Sequence, residues 1–272
     1  MARPRPVEKD ALEQDGGRHV TLRADLSGRR LLVTGASSGI GAATCRSIVG
    51  CGGAVAMLAR RKDRLDDLAR ELGGRAVAVA CDVTDTAALE AAADEAARTL
   101  GGLDGVVTVA GRTMVGSITS GTPQVWRELL DLNLVAALAA VRFAVAHFSG
   151  EGRRDVVVVA STGAITPLPN SGIYAASKRA LQAGCDALRL ELAAAGINVS
   201  CILPGMFETE ALSVEGLIFD GEVGPDATPY FAGEPTPASA GDLGDAIAFV
   251  LSRPDGFAIN ELVVRPTGQL NP

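Results

Sequence analysis

Tyr174 and Lys178, in the run YAASK, stand four residues apart, which on a helix places them on one face. Ser161 lies thirteen residues before Tyr174, just after the apolar run RDVVVVA. These residue types suit carbonyl reduction or alcohol oxidation. A free phenol has a pKa of about 10 and is a poor acid or base near neutrality. An adjacent ammonium favours the phenolate and lowers that value, and a serine hydroxyl polarises the same substrate oxygen. A tyrosine and a lysine on a helix are ordinarily surface or packing residues. The weight rests on three such types occurring in order around the end of a strand and the start of a helix.

A second run, LLVTGASSGIGAA, sets Gly35, Gly39 and Gly41 between a strand pattern and a helix pattern, with Ser37, Ser38 and Ile40 among them. Backbone N–H groups in such a loop approach a phosphate closely, and the helix N-terminus adds favourable polarity. Gly35 permits the turn, Gly39 the close approach, and Gly41 tight helix–strand packing. The spacing is TGxxxGxG rather than GxGxxG, and a tight turn alone also explains it. Its place at the head of an alternating chain favours a dinucleotide. The second strand ends AMLARRKDRL. Ala59 fills the slot where an acidic residue would accept from a ribose 2′-hydroxyl, and Arg60 and Arg61 follow. These guanidinium groups either pair with a 2′-phosphate, which favours NADP(H), or are solvated at a strand end. Asp82, after the third strand, stands where it can accept from an adenine amino group.

The elements that must position these residues alternate along the chain. Strands are expected at RRLLVTG, GAVAMLAR, RAVAVACDV, LDGVVTVAG, RDVVVVASTG, INVSCILPG and AINELVVRP. Helices are expected over about 40–49, in KDRLDDLARELG, over 86–100, over about 123–148, in IYAASKRALQAGCDALRLELAAAG and in GDLGDAIAFVLSR. Several strands are nearly unbroken apolar runs, the pattern of a sheet covered on both faces. The expectation is an α/β fold with a doubly wound, mostly parallel, Rossmann-type sheet. Right-handed crossovers then gather the loops after the strands along one edge. Residues 1–26 read as a flexible arm, 27–272 as one domain, and 206–239 as an excursion that covers substrate. Phe207, Leu212, Leu217, Ile218, Phe219, Tyr230 and Phe231 either line that excursion's pocket or form a small satellite core.

Composition excludes other classes. The 272 residues carry 25 Lys and Arg against 32 Asp and Glu, a net charge of -7, which gives no support to a nucleic-acid partner. Five cysteines lack CxxC spacing, so neither a disulfide framework nor a structural zinc is expected, and a reducing compartment, the cytoplasm, is the simpler assumption. No metal site is read, and His147 is taken as structural. The apolar run LNLVAALAAVRFAVAHF is short and contains Arg142, a buried helix rather than a membrane span. It and the YAASK helix are apolar around more than one face, which predicts that each is covered on more than one side.

With these motifs the chain resembles the short-chain dehydrogenase/reductase family, in its one-domain, NADP-preferring form, from about Leu26 to Gln269. The likeness covers TGASSGIG, Asp82-Val83, Ala110-Gly111, Asn133 in DLNL, Ser161, YAASK and PGMFET at 204–209. It implies that Ser161, Tyr174 and Lys178 form the active core, with Asn133 completing a relay by holding a water against Lys178 from within a distorted helix. It implies that Lys178 also holds the nicotinamide ribose and that Ile202 to Thr209, with Pro204 and Gly205, flank the nicotinamide. It implies a homodimer or homotetramer, and a small carbonyl or alcohol substrate. The tail INELVVRPTGQ resembles an NADP-dependent subgroup acting on hydroxy acids and related small polar alcohols, some serving biosynthetic routes. The family often has Asn-Asn-Ala-Gly where this chain has Thr108, Val109, Ala110 and Gly111. The asparagine's backbone-bonding role is therefore lost, or Thr108 supplies part of it. Ser38 stands where NADP-preferring relatives often place a base, so Arg60 first, with Arg61 second, is expected to supply the selectivity. The rival reading is a catalytically silent NADP(H)-binding regulatory or scaffold protein of the same fold.

Overall fold

Leu31, Val33, Val55, Met57, Val107, Val157 and Val159 face one side of a central sheet, and their neighbours Leu32, Ala56, Leu58, Val106, Val156 and Val158 face the other. Every one of them is buried, so period-two alternation separates two apolar layers rather than core from water. The computed structural model describes residues 24–149, 152–210, 213, 216–222 and 236–269. The strands are β1 (Arg30–Thr34), β2 (Ala54–Ala59), β3 (Ala76–Ala80), β4 (Gly105–Thr108), β5 (Met114–Val115), β6 (Arg154–Val159), β7 (Ile197–Pro204), β8 (Ile218–Phe219) and β9 (Glu261–Val264). Seven of them form one sheet in the order β3-β2-β1-β4-β6-β7-β9, and every pair in it is parallel. The chain winds outward from β1 to β3, then crosses to β4, so the strand order reverses between β1 and β4 and opens a crevice there.

Helices α1 (Gly39–Gly50), α2 (Lys62–Leu72) and α7 (Ala240–Leu251) cover one face with Cys45, Ile48, Leu65, Leu68, Leu243 and Ile247. Helices α3 (Thr86–Leu100), α5 (Ala136–Val145) and α6 (Gly172–Leu192) cover the other with Leu89, Ala93, Ala140, Val141, Leu181 and Cys185. Local chemistry sets several boundaries. Asp85 caps α3 by accepting from Ala87 and Ala88 N–H, and Gly101 ends it in the left-handed region. The helix expected over 123–148 is divided: α4 (Pro123–Leu130) passes through a π turn, Asp131–Val135, into α5.

The excursion is tied down where it is described. β8 pairs with β5 outside the main sheet, a pairing absent from the sequence reading. Leu217 and Val115 make a small satellite cluster, whereas Phe207 joins the core under α1 and α7. Asp220 accepts from Thr122 N–H at 2.7 Å and from the Trp126 indole N–H at 2.9 Å. Leu212, Tyr230 and Phe231, and residues 1–23 of the arm, lie outside the described residues.

The N-terminal edge of the sheet is locked by charge. Arg30 Nη2 meets Asp104 Oδ1 at 2.6 Å. Asp155, fully buried, accepts from Arg29 at 2.8 Å and pairs with Arg153 at 2.7 Å. Burial pushes the Asp155 carboxyl up while the two arginines pull it down, and burial prevails. Removing one partner of a buried pair strands the others in a medium that does not solvate them. We expect Asp155→Ala to lose about 3–5 kcal/mol of unfolding free energy in urea denaturation. A loss under about 1 kcal/mol, the scale of an exposed pair, would contradict this account.

Candidate active site

The loop from β1 to α1 has its backbone pressed against its neighbours. Gly35 has φ +70°, and a Cβ there would lie 2.8 Å from Ala110 N. A Cβ on Gly41 would drive into the Gly35 carbonyl, so only glycine lets α1 begin this close to β1. Thr34 Oγ1 accepts from Val109 N at 3.1 Å and Ala110 N at 3.3 Å. The backbone-bonding role open between loss and Thr108 thus belongs to Thr34, and Thr108 Oγ1 has no hydrogen-bond partner among the described residues.

Beyond this loop runs a groove of about 480 Å³, lined by Gly35, Ser37, Ser38, Gly39, Ile40, Gly41, Arg60, Arg61, Asp82, Val83, Ala110, Gly111 and Thr209. Ala59, Cys81, Val109, Arg112, Leu132, Glu210 and Gly216 complete it, and the sequence reading did not single these out as cofactor-binding. Ser38 sits at the N-cap of α1 without capping it; its hydroxyl receives Arg61 Nη2 at 2.7 Å. Arg61 also reaches Ser37 Oγ at 3.0 Å. Arg60 is 72% exposed, 3.9 Å from Asp82. The backbone N–H of Thr84 holds the Asp82 carboxyl below the usual carboxylate range. A glycine cradle that side chains would fill, an uncapped helix start and a guanidinium among hydroxyls fit a dinucleotide phosphate chain.

The groove continues into a smaller cavity of about 100 Å³, lined among others by Ser161, Tyr174, Lys178, Pro204, Gly205, Phe207 and Thr113. Ile40, Gly111, Arg112 and Thr209 border both spaces. Ser161 ends the turn after β6, and its Oγ accepts from Gly163 N–H at 3.1 Å, leaving its own proton to donate. Tyr174 lies in the first turn of α6. Burial raises its pKa, and the hydroxyls of Ser161 and Thr113 pull the other way. The shift is upward, opposite to the lowering expected from the Lys178 ammonium. Lys178 is buried, its Nζ donating to the Val159 carbonyl at 3.2 Å, and burial lowers its pKa from 10.5 to about 8.

Asn133 lines neither space. It is fully buried in the π turn, where Oδ1 accepts from Arg112 N at 2.9 Å and Nδ2 donates to Arg112 O at 2.9 Å and Ser177 Oγ at 3.2 Å. Gly111 separates it from Lys178: a Cβ there would stand 3.0 Å from Asn133 Oδ1 and 3.4 Å from Lys178 Nζ. Asn133 therefore clamps the strand-end loop against α6, one residue from the lysine. Elsewhere, His147 Nε2 meets Asp94 Oδ1 at 2.7 Å, tying α5 to α3, and all five cysteines are free. Among the described residues no three His, Cys, Asp or Glu side chains group as metal ligands, and no helix is long and apolar enough to cross a membrane.

Residues 29–215 match the family described as short chain dehydrogenase. The chain is 36% identical over 241 residues to an uncharacterized oxidoreductase of Mycobacterium tuberculosis, covering 89% of this chain and 92% of that protein. It is 33% identical over 250 residues, 90% of its length, to glycine betaine reductase of Emericella nidulans, but spans only 19% of that protein. A short chain dehydrogenase from Burkholderia cenocepacia in complex with NADP superposes with a TM-score of 0.77 at 30% identity, covering 88% of this chain and 97% of that one. A 3-ketoacyl-(acyl-carrier-protein) reductase from Brucella melitensis complexed with NADH gives 0.77 at 27% identity, covering 88% and 98%.

The Lys178 ammonium should titrate near 8, followed by NMR of its Cε carbon over pH 6–11. A midpoint at the ordinary 10.5 would show that burial does not control it. Between about 8 and 10.5 the unfolded chain holds a proton the folded one has lost. The cost of burying this charge is therefore fully present below that window and is relieved as pH rises through it, so the fold gains stability between about 8 and 10.5.

Proposed function

The chain belongs to the short-chain dehydrogenase family, and on that premise we propose that it is an NADP(H)-dependent oxidoreductase interconverting a ketone or aldehyde with its alcohol. One observation carries the reading: Ser161, Tyr174 and Lys178 border a single small cavity that opens into the glycine-loop groove. A nicotinamide bound there supplies or accepts the hydride. In reduction, Ser161 donates a hydrogen bond to the substrate oxygen, and Tyr174, held as a neutral phenol, passes its proton to that oxygen. Lys178 remains mostly cationic at neutral pH and stabilises the phenolate left behind. Its ammonium would also hold the cofactor ribose. Asn133 and Gly111 set the distance between the strand-end loop and Lys178.

Arg61, seated on Ser37 and Ser38, is the principal partner for a 2′-phosphate, with the more exposed Arg60 beside it. The 100 Å³ cavity suits a small substrate, in keeping with a small polar hydroxy acid or a biosynthetic intermediate. Residues 27–272 act as one catalytic domain in the cytoplasm. We also propose a homodimer or homotetramer through the 123–148 run and α6, where Val135 and Leu190 are exposed apolar side chains.

NADPH should bind more tightly than NADH, and Arg61→Ala should remove about tenfold or more of that preference, the scale of a charge-assisted hydrogen bond. Equal dissociation constants in the parent would refute the cofactor choice. Tyr174→Phe should slow single-turnover NADPH oxidation by about 100-fold or more with little change in cofactor affinity. Near-parental rates would remove Tyr174 as the proton donor.

A further inference from the structure

The segment leaving β7 turns back over the glycine loop. Thr209 packs on Gly39, where an added Cβ would lie 3.1 Å from the threonine side chain. Glu210 then reaches across to α2 and its approach. Its Oε2 lies 2.8 Å from Arg61 Nη1, and its Oε1 bonds Arg64 Nη1, one helical turn further on. Arg61 is the same side chain that grips Ser37 and Ser38. The carboxylate therefore lines the groove at the end where a 2′-phosphate would meet Arg61. The two arginines hold its carboxyl down to about 2, so it is an anion at every working pH.

This arrangement is poorly explained as a stabilising contact. Arg61, Arg64 and Glu210 are 40%, 43% and 49% exposed, and ion pairs that wet contribute little to folding. Its effect on an incoming anion is larger. Arg60, Arg61 and Arg64 offer three cations, but Glu210 and Asp82 cancel two of them. A phosphate must either displace Glu210 from Arg61 or sit beside a second anion.

We propose that Glu210 is a specificity-determining residue: it occupies the guanidinium groups available to a cofactor's 2′-phosphate and sets the affinity for the phosphorylated dinucleotide below what Arg61 and Arg64 alone would give. The proposal rests on the NADP(H) reading above.

The test is calorimetric titration of the full chain and its Glu210→Gln variant with 2′,5′-ADP and with 5′-ADP. The variant should bind 2′,5′-ADP about two- to fivefold more tightly, the scale of one exposed ion pair, while 5′-ADP changes less. The gain should shrink in high salt and vanish when Arg61→Ala is added. A parent that prefers 2′,5′-ADP, with the same preference in Glu210→Gln, would leave the cofactor reading standing and overturn the role of Glu210 alone. A parent and a Glu210→Gln variant that both bind the two equally would overturn both.

Discussion

The approach of α1 to the end of β1 is the constraint on which the rest of the molecule depends. Gly41 lies against the Gly35 carbonyl, and Gly35 lies against the backbone of Ala110. A methyl group at either place would push α1 away. Gly244 of α7 rests on the Ala43 backbone, so α7 would move too. The same close fit lets the Thr34 hydroxyl reach Val109 and Ala110. That loop continues into Gly111 and Arg112, which Asn133 grips from its backbone side. A row of short contacts thus links the floor of the groove to Lys178 without a long side chain in it. Geometry around Lys178 is inherited from packing at the glycine loop.

The two edges of the sheet use charge in opposite ways. At the strand N-termini, Arg29 and Arg153 share the one buried carboxylate of Asp155, which fixes relative strand positions. At the C-termini, Lys178 is buried against the Val159 carbonyl, and burial weakens its hold on a proton. The first arrangement is spent on rigidity. The second leaves a buried ammonium that gives up its proton more readily than a solvated lysine.

Much of this architecture was legible in the amino-acid order. The strand–helix alternation, the unbroken apolar strands and the limits of α3 follow from local pattern, and Asp85 and Gly101 punctuate that helix as their chemistry requires. What the pattern missed is non-local. β5 and β8 are two residues each and pair Met114 with Ile218, so no window of sequence carries a period for them. The π turn at Asn133 has no compositional mark inside an Ala- and Leu-rich run, and only family likeness anticipated the distortion. Thr113 and Arg112 enter the cavity wall where Asn133, distant in sequence, holds the loop after β4. Thr34 takes over a role sought at Thr108 because the two are neighbours across β1 and β4, not along the chain. The glycines were readable in kind, whereas the partners that require them are contacts from other elements.

Trp126 is the one tryptophan in the chain, and its indole nitrogen is bonded to Asp220 in the segment that follows β8. Indole emission responds to a nearby carboxylate and to the polarity around the ring. The protein therefore carries a built-in optical probe at the anchor of its excursion. A spectrum taken without any added label reports whether that anchor is made, and a titration followed at this one fluorophore reads the attachment of 216–222 to α4.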